Sequence, residues 1–338
     1  MKQEQTLPSH LIGEVIGQFL SRKEFDNLRL TSKEIHHATE QLSQPWPHVA
    51  LPVGDTSIQS ITFSRDGKKL SCRDRSGIIH VWDRSYGKQI KWIACSRSAC
   101  LGNIVTSPDN THLAFDGNSK SIQICKIESG KCINILRGHE GAITSLSFSP
   151  DGKFIVSGST DSTVRLWDLR SSECKQILRR HRGFVYSVDF SRNGRYLASA
   201  GSDRIIRVWR SLRTNQSDNF EQCLQLRGHK LVVVSVSFSP DNENLLASVS
   251  LDMTVRLWNI VLQSCTHCWN NQTELLNLCF SPNGRQLAAG RSDDTIALWN
   301  LEDEAKEIIL NGRLLAFAPD GHTLAVGGMD GSVRLQRI

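Results

Sequence analysis

GHEGAITSLSFSPDGKFIVSGSTDSTVRLWDL, residues 138–169, is the stretch from which the fold can be read. Apolar residues alternate with small polar ones through Ile143, Leu146 and Phe148, through Phe154 and Val156, and through Val164 and Leu166. The turn between the first two runs carries Asp151-Gly152. Period-two apolar runs joined by such turns describe short antiparallel strands. The pattern returns at once in RHRGFVYSVDFSRNGRYLASAGSDRIIRVW, residues 180–209, and again in GHKLVVVSVSFSPDNENLLASVSLDMTVRLWNI, residues 228–260.

Weaker copies flank these three. If the tryptophan near the end of each copy is the marker, its position is held in turn by Trp82, Cys125, Trp167, Trp209, Trp258, Trp299 and Gln336. The spacing stays at roughly forty residues, with one insertion around residues 214–221, and a period of that length signals a repeat architecture. Seven units account for nearly all of the 338 residues.

Composition narrows the function classes. Hydrophobic residues make up 39% of the chain, enough for a normally packed interior. No run of about 18 apolar residues is present, and the opening MKQEQTLPSH is polar where a secretion signal needs an apolar stretch. An intracellular protein, cytoplasmic or nuclear, with no membrane partner is therefore expected. Its ten scattered cysteines then read as reduced thiols. The 40 basic and 34 acidic residues nearly balance and form no basic block, so nucleic-acid binding is not implied.

The Gly-His, Ser-Pro-Asp-Gly and Trp-Asp landmarks, in register over residues 46–338, resemble the WD-repeat family. That resemblance implies an all-β fold: a seven-bladed WD40 β-propeller of four-stranded antiparallel blades around a channel. It also implies a hydrogen-bonded His, Ser, Asp and Trp set in each well-kept blade. Three sets are complete: His139, Ser157, Asp161 and Trp167; His181, Ser199, Asp203 and Trp209; His229, Ser248, Asp252 and Trp258. The sixth unit keeps Asp293 and Trp299 but has Ala289, and the first, second and seventh are more altered. The seventh unit runs out in its third strand, and the extended stretch at residues 46–53 is expected to supply the fourth, so removing an open sheet edge.

Residues 1–45 follow a different period. Leu11, Ile12, Val15, Ile16, Phe19 and Leu20 make one helical stripe, and Ser21-x-x-Glu24 and Thr31-x-x-Glu34 are capping-box patterns, so a small three-helix segment is expected. With Leu7 and Pro8 ahead of the first helix, Phe25 and Leu28 in the middle one and Ile35 in the last, the segment resembles an F-box in a degenerate form. The resemblance implies that Leu7, Pro8, Leu11, Ile12, Val15, Ile16, Phe19, Leu28 and Ile35 meet a Skp-type adaptor of a cullin ubiquitin ligase. The alternative is a cap that buries its stripe against the propeller.

Catalysis is not expected. Ser, His and Asp recur together, but in three units at equivalent positions, whereas a nucleophilic triad is a single exposed constellation with an oxyanion hole. Cys265-x-x-Cys268 lacks a second pair to complete four ligands, so no metal site and no cofactor are expected. What remains is a binding platform. Placed on the repeat, Arg75, Glu140, Arg182, Phe184, Lys230, Leu251, Arg291 and Met329 share one face, and their Arg, Lys and aromatic content suits an acidic or phosphorylated peptide. The expected function is a non-catalytic protein-interaction platform, read either as a ubiquitin-ligase substrate receptor or as a scaffold subunit of an RNA-processing or ribosome-assembly type of complex.

Overall fold

The computed structural model describes residues 50–52, 57–84, 88–94, 103–117, 120–212, 219–302 and 307–338. The helical segment expected over residues 1–45 lies outside them. They hold seven four-stranded antiparallel sheets, six of them built from consecutive strands. Here the sheets are called blades 1 to 7 (58–94, 105–136, 143–178, 185–226, 233–270, 275–311, and 314–337 with 50–52), and their strands a to d in hydrogen-bonding order. The fourth strand of blade 7 is Ala50–Pro52, which pairs antiparallel with Ser332–Arg337 through Ala50↔Arg334 and Pro52↔Ser332. Both ends of the described chain thus meet in one sheet, and the third strand of blade 7 keeps no open edge along that stretch.

Strands a contact one another from blade to blade, including blade 7 with blade 1, and so form the innermost ring. Five of them carry a bulge just after their first residue, which leaves Gln59, Thr144, Tyr186, Val234 and Leu276 out of the ladder. Side chains on this ring tie blades 1 to 5 together in succession. The Ser60 hydroxyl accepts from the Ile104 amide at 3.0 Å, Asn103 Oδ1 from the Leu146 amide at 2.7 Å, Ser145 from Val188 at 3.1 Å and Ser187 from Val236 at 3.1 Å. Leu314, at the corresponding place in blade 7, has no polar atom to offer.

The core lies between blades rather than at the axis. Phe154, Val156, Leu166 and Leu178 of blade 3 pack on Val185, Val188, Leu197 and Trp209 of blade 4, all at 8% exposure or less. The seam between blades 7 and 1 is packed likewise by Ala318, Ala325, Val333 and Leu335 against Ile58, Phe63, Leu70 and Trp82. Every seam between neighbouring blades carries such a cluster, so the inner strands of each blade are covered on both faces.

Candidate functional site

The loops joining strand d to the next strand a, and the turns joining strands b and c, lie at one end of the strands. The tetrads anchor this end. In blade 4 the Trp209 indole N–H donates to Ser199 Oγ at 2.9 Å, Ser199 lies 2.8 Å from His181 Nε2, and His181 Nδ1 lies 3.0 Å from Asp203. Blades 3 and 5 repeat the chain of bonds with His139 and His229. In all three blades the carboxylate also accepts from the amide after the histidine, at Glu140, Arg182 and Lys230. The loop is thereby clamped to the turn. Every member is satisfied, the condition under which a buried polar network specifies one arrangement.

The charge states follow. Burial raises the Asp203 and Asp252 carboxyls, but hydrogen bonds from His181 and Arg182 to the first, and from Thr254, Lys230 and His229 to the second, outweigh it and hold both at about 2. Asp161 is held well below the usual carboxylate range, with burial again overcome by His139, Thr163 and the Glu140 amide. Burial lowers His181 and His229, against the pull of their aspartates. In blades 4 and 5 the stable set at neutral pH is thus carboxylate, neutral imidazole donating from Nδ1, hydroxyl and indole. With its hydroxyl bonded between the indole and the imidazole, the serine is a structural element.

Two blades replace the set by other chemistry. In blade 1 the Asp74 carboxylate takes His80 Nε2 at 3.1 Å, the Ser76 hydroxyl at 2.6 Å and the Ile78 amide at 2.9 Å. In blade 6, Asn271 occupies the histidine position and accepts from Arg291 Nη2 at 2.7 Å. This corrects one expectation. Arg291 is 9% exposed and is held by Asn271 at the histidine position, so it does not stand on the solvent-facing surface.

The other expected face residues are distributed as follows. Arg75, Glu140, Arg182 and Lys230 are exposed, and so are Phe184 at 48% and Met329 at 50%, whereas Leu251 is half-buried. Phe184 packs edge-on against Tyr186 at 6.3 Å. Beside them stand residues that the sequence reading missed: Arg204, which donates to the Lys230 carbonyl at 3.4 Å, and the exposed Leu231 and Met253. The loop positions after each histidine were the available signal for Leu231. Tyr186 could not be found that way, since it reaches this end by the strand-a bulge. Arg182, Arg204 and Lys230 with Phe184, Tyr186, Leu231 and Met253 make a basic and apolar surface on blades 4 and 5. The adaptor-contact residues from Leu7 to Ile35 lie outside the described residues.

Cys265 does begin an outer strand, as Cys132 and Cys174 do, pairing with the Trp258 position, while Cys223 is displaced by one into the bulge. Among the described residues no group of three metal-ligating side chains gathers, and no helix is long and apolar enough to cross a membrane.

The comparisons with known proteins agree with the geometry. The "WD repeat-containing protein AAC3" of Dictyostelium discoideum is 30% identical over 83 residues, which cover 25% of this chain and 17% of that protein. "Small ribosomal subunit protein RACK1y" of Oryza sativa subsp. japonica is 29% identical over 141 residues, 38% of this chain and 41% of its own. "B-type cell cycle switch protein ccs52A" of Medicago truncatula is 29% identical over 119 residues, 32% and 25% respectively. The chain thus spans less than half the length of these relatives. The family pattern described as WD domain, G-beta repeat matches residues 49–83, 130–168, 172–210, 220–259, 263–300 and 314–335. With those six matches in register on the blades, the chain belongs to the WD40 family.

Proposed function

We propose that this protein is a non-catalytic interaction platform that captures a protein partner on the loop face of blades 3 to 5. The observation that carries this reading is the coincidence, on loops clamped by complete tetrads, of exposed Arg182 and Lys230 with exposed Phe184 and Leu231. Rigid loops lower the ordering cost of binding, arginine pairs bidentately with carboxylate or phosphate, and an aromatic supplies the anchoring area. An acidic or phosphorylated peptide is the matching partner.

The N-terminal helical stripe, Leu11 to Phe19, makes the protein a substrate receptor that joins this face to a Skp-type adaptor and a cullin. Support comes from the periodicity of residues 1–45 and the Leu7-Pro8 start. Affinity capture from cell extract tests both halves. Arg182→Glu with Lys230→Glu should abolish capture of the substrate partner and leave the adaptor, while Ile12→Asp with Val15→Asp should do the reverse. Retention of the same partners by both variants refutes the reading.

The similarity to a small ribosomal subunit protein favours a second reading, a scaffold in a ribonucleoprotein complex. Binding to RNA with a steep salt dependence would support it, since phosphate contacts release counterions.

A further inference from the structure

On the opposite end of the strands, where the a–b and c–d turns lie, a cleft of about 510 Å³ opens between blades 2 and 3. Phe148 forms part of its wall. The counterparts of Phe148 in blades 1, 4, 5 and 6 are Phe63, Phe190, Phe238 and Phe280, each at 8% exposure or less, whereas Phe148 is only half-buried. Isoleucine 133, 42% exposed, and the half-buried Leu169 face the same space.

The neighbouring crevice, between blades 3 and 4, shows what such a space accepts. There Phe220 sits with its ring 5.8 Å from Phe190. The carboxamide of Gln176 clamps its backbone: the Phe220 amide donates to Gln176 Oε1 and Gln176 Nε2 donates to the Phe220 carbonyl, both at 2.8 Å. The strand registers put Asn134 where Gln176 stands, opposite Ile124 and Leu166 respectively. They put Ser172 where Phe220 stands, because Ser211↔Phe220 continues the ladder at the level of Leu169 and Ser172. Blades 2 and 3 therefore keep the wall and the clamp but lack the plug. Asn134 Nδ2 meanwhile reaches the Leu169 carbonyl at a long 3.4 Å.

The charge at the mouth differs from that of the loop face. Asp109 and Asp151 stand on the two turns that flank the opening, against Arg65 and His112. The rim thus sets two carboxylates against one guanidinium, in a chain of net charge +6.

We propose that this cleft is a second docking site, which takes an extended segment of a partner protein presenting a phenylalanine-sized side chain with a lysine or arginine beside it. The ring fills the position of the missing plug against Phe148, Ile133 and Leu169. Asn134 pairs with the segment's backbone, and the cation faces Asp109 and Asp151. Such a site leaves the loop face free, so two partners bind at once.

The test uses the full chain and a fluorescein-labelled heptapeptide, Gly-Ser-Lys-Phe-Lys-Ser-Gly, followed by fluorescence polarisation. Saturable binding is expected, weakened about tenfold when the peptide's Phe is replaced by Ala, the equivalent of losing one buried side chain. Ile133→Gln should weaken it about as much, and Asn134→Ala about fivefold; both positions are surface-accessible, and thermal melting checks that the fold is kept. Replacing the peptide's lysines by Glu should abolish binding. Absence of saturable binding up to about 1 mM, or equal affinity of the Phe and Ala peptides, overturns the proposal. So does binding that is lost with Arg182→Glu and indifferent to Ile133→Gln, which would place the peptide on the opposite face.

Discussion

Replacing Ser199 by alanine isolates what one tetrad contributes. Its hydroxyl accepts from the Trp209 indole at 2.9 Å and lies 2.8 Å from His181 Nε2, with Ser199 at 0% and Trp209 at 2% exposure. The indole N–H and the imidazole nitrogen lose their partner while remaining buried, which costs about 1.5 kcal/mol apiece. The expected loss is about 3 kcal/mol. Blade 6 supplies the internal control, because Ala289 already stands at the serine position beside Trp299. Ala289→Ser should change stability by less than about 1 kcal/mol, since Asn271, bonded to Arg291, stands where the imidazole partner of such a hydroxyl would be. The assay is urea denaturation followed by tryptophan fluorescence, with hydrogen exchange on peptides covering residues 181–209 to locate the loosening. A loss below about 1 kcal/mol for Ser199→Ala, or exchange rising equally in all blades, would refute the claim that the tetrad locks its own blade.

Three further outcomes follow from the geometry. Asp203 and Asp252, held at about 2, stabilise the fold above the ordinary carboxylate range and lose that contribution as pH falls toward 2; the lowered His181 and His229 add a loss as pH falls below about 6.5. Asp189 works in the other direction: burial raises it to about 6 despite bonds from the Phe238 amide and Ser147, so its ionisation destabilises the fold as pH rises from about 4 to 6. Stability measured against pH should therefore be nearly flat from about 4 to 6 and fall steeply below 4, whereas Asp189→Asn should slope upward from pH 5 to 6.5; an unchanged profile in that variant would contradict the assignment. Phe220→Ala should cost about 3 kcal/mol by opening the crevice between blades 3 and 4, read as a lowered urea midpoint, and should be among the largest single-residue losses in blade 4. Arg84 binds Asp320 and the Thr323 hydroxyl across the seam of blades 1 and 7 and lies 5.7 Å over Phe63. Its alanine variant should lose about 1 kcal/mol, since Asp320 is partly solvated, with faster exchange confined to residues 58–63 and 314–337.

Much of this architecture was legible in the chain before any coordinates. The forty-residue period, the alternation in each unit and the Asp-Gly or Asn-Gly turns are local properties, and in this protein local preference and global fold point the same way. The tetrads were legible for the same reason: His139 and Asp161 lie 22 residues apart, within one repeat. Arg291 was misplaced on the face because its environment depends on Asn271, which the repeat alone reads as a loop residue.

What the sequence by itself determined is the number of blades, the strand order within them and the residues of the three complete tetrads, because each depends on short-range pattern. The tertiary structure alone decided which side chains meet across blades: the bulge that carries Tyr186 to the loop face, the ring of bonds from Ser60 to Ser187, the Arg84 seam, and the plug that is present at Phe220 and missing at Ser172. The last three join residues forty or more positions apart, and in the case of Arg84 and Asp320 they join the first blade to the last. No periodicity encodes them, since they arise only when seven similar sheets close into a circle and each must fit the particular side chains of its neighbour.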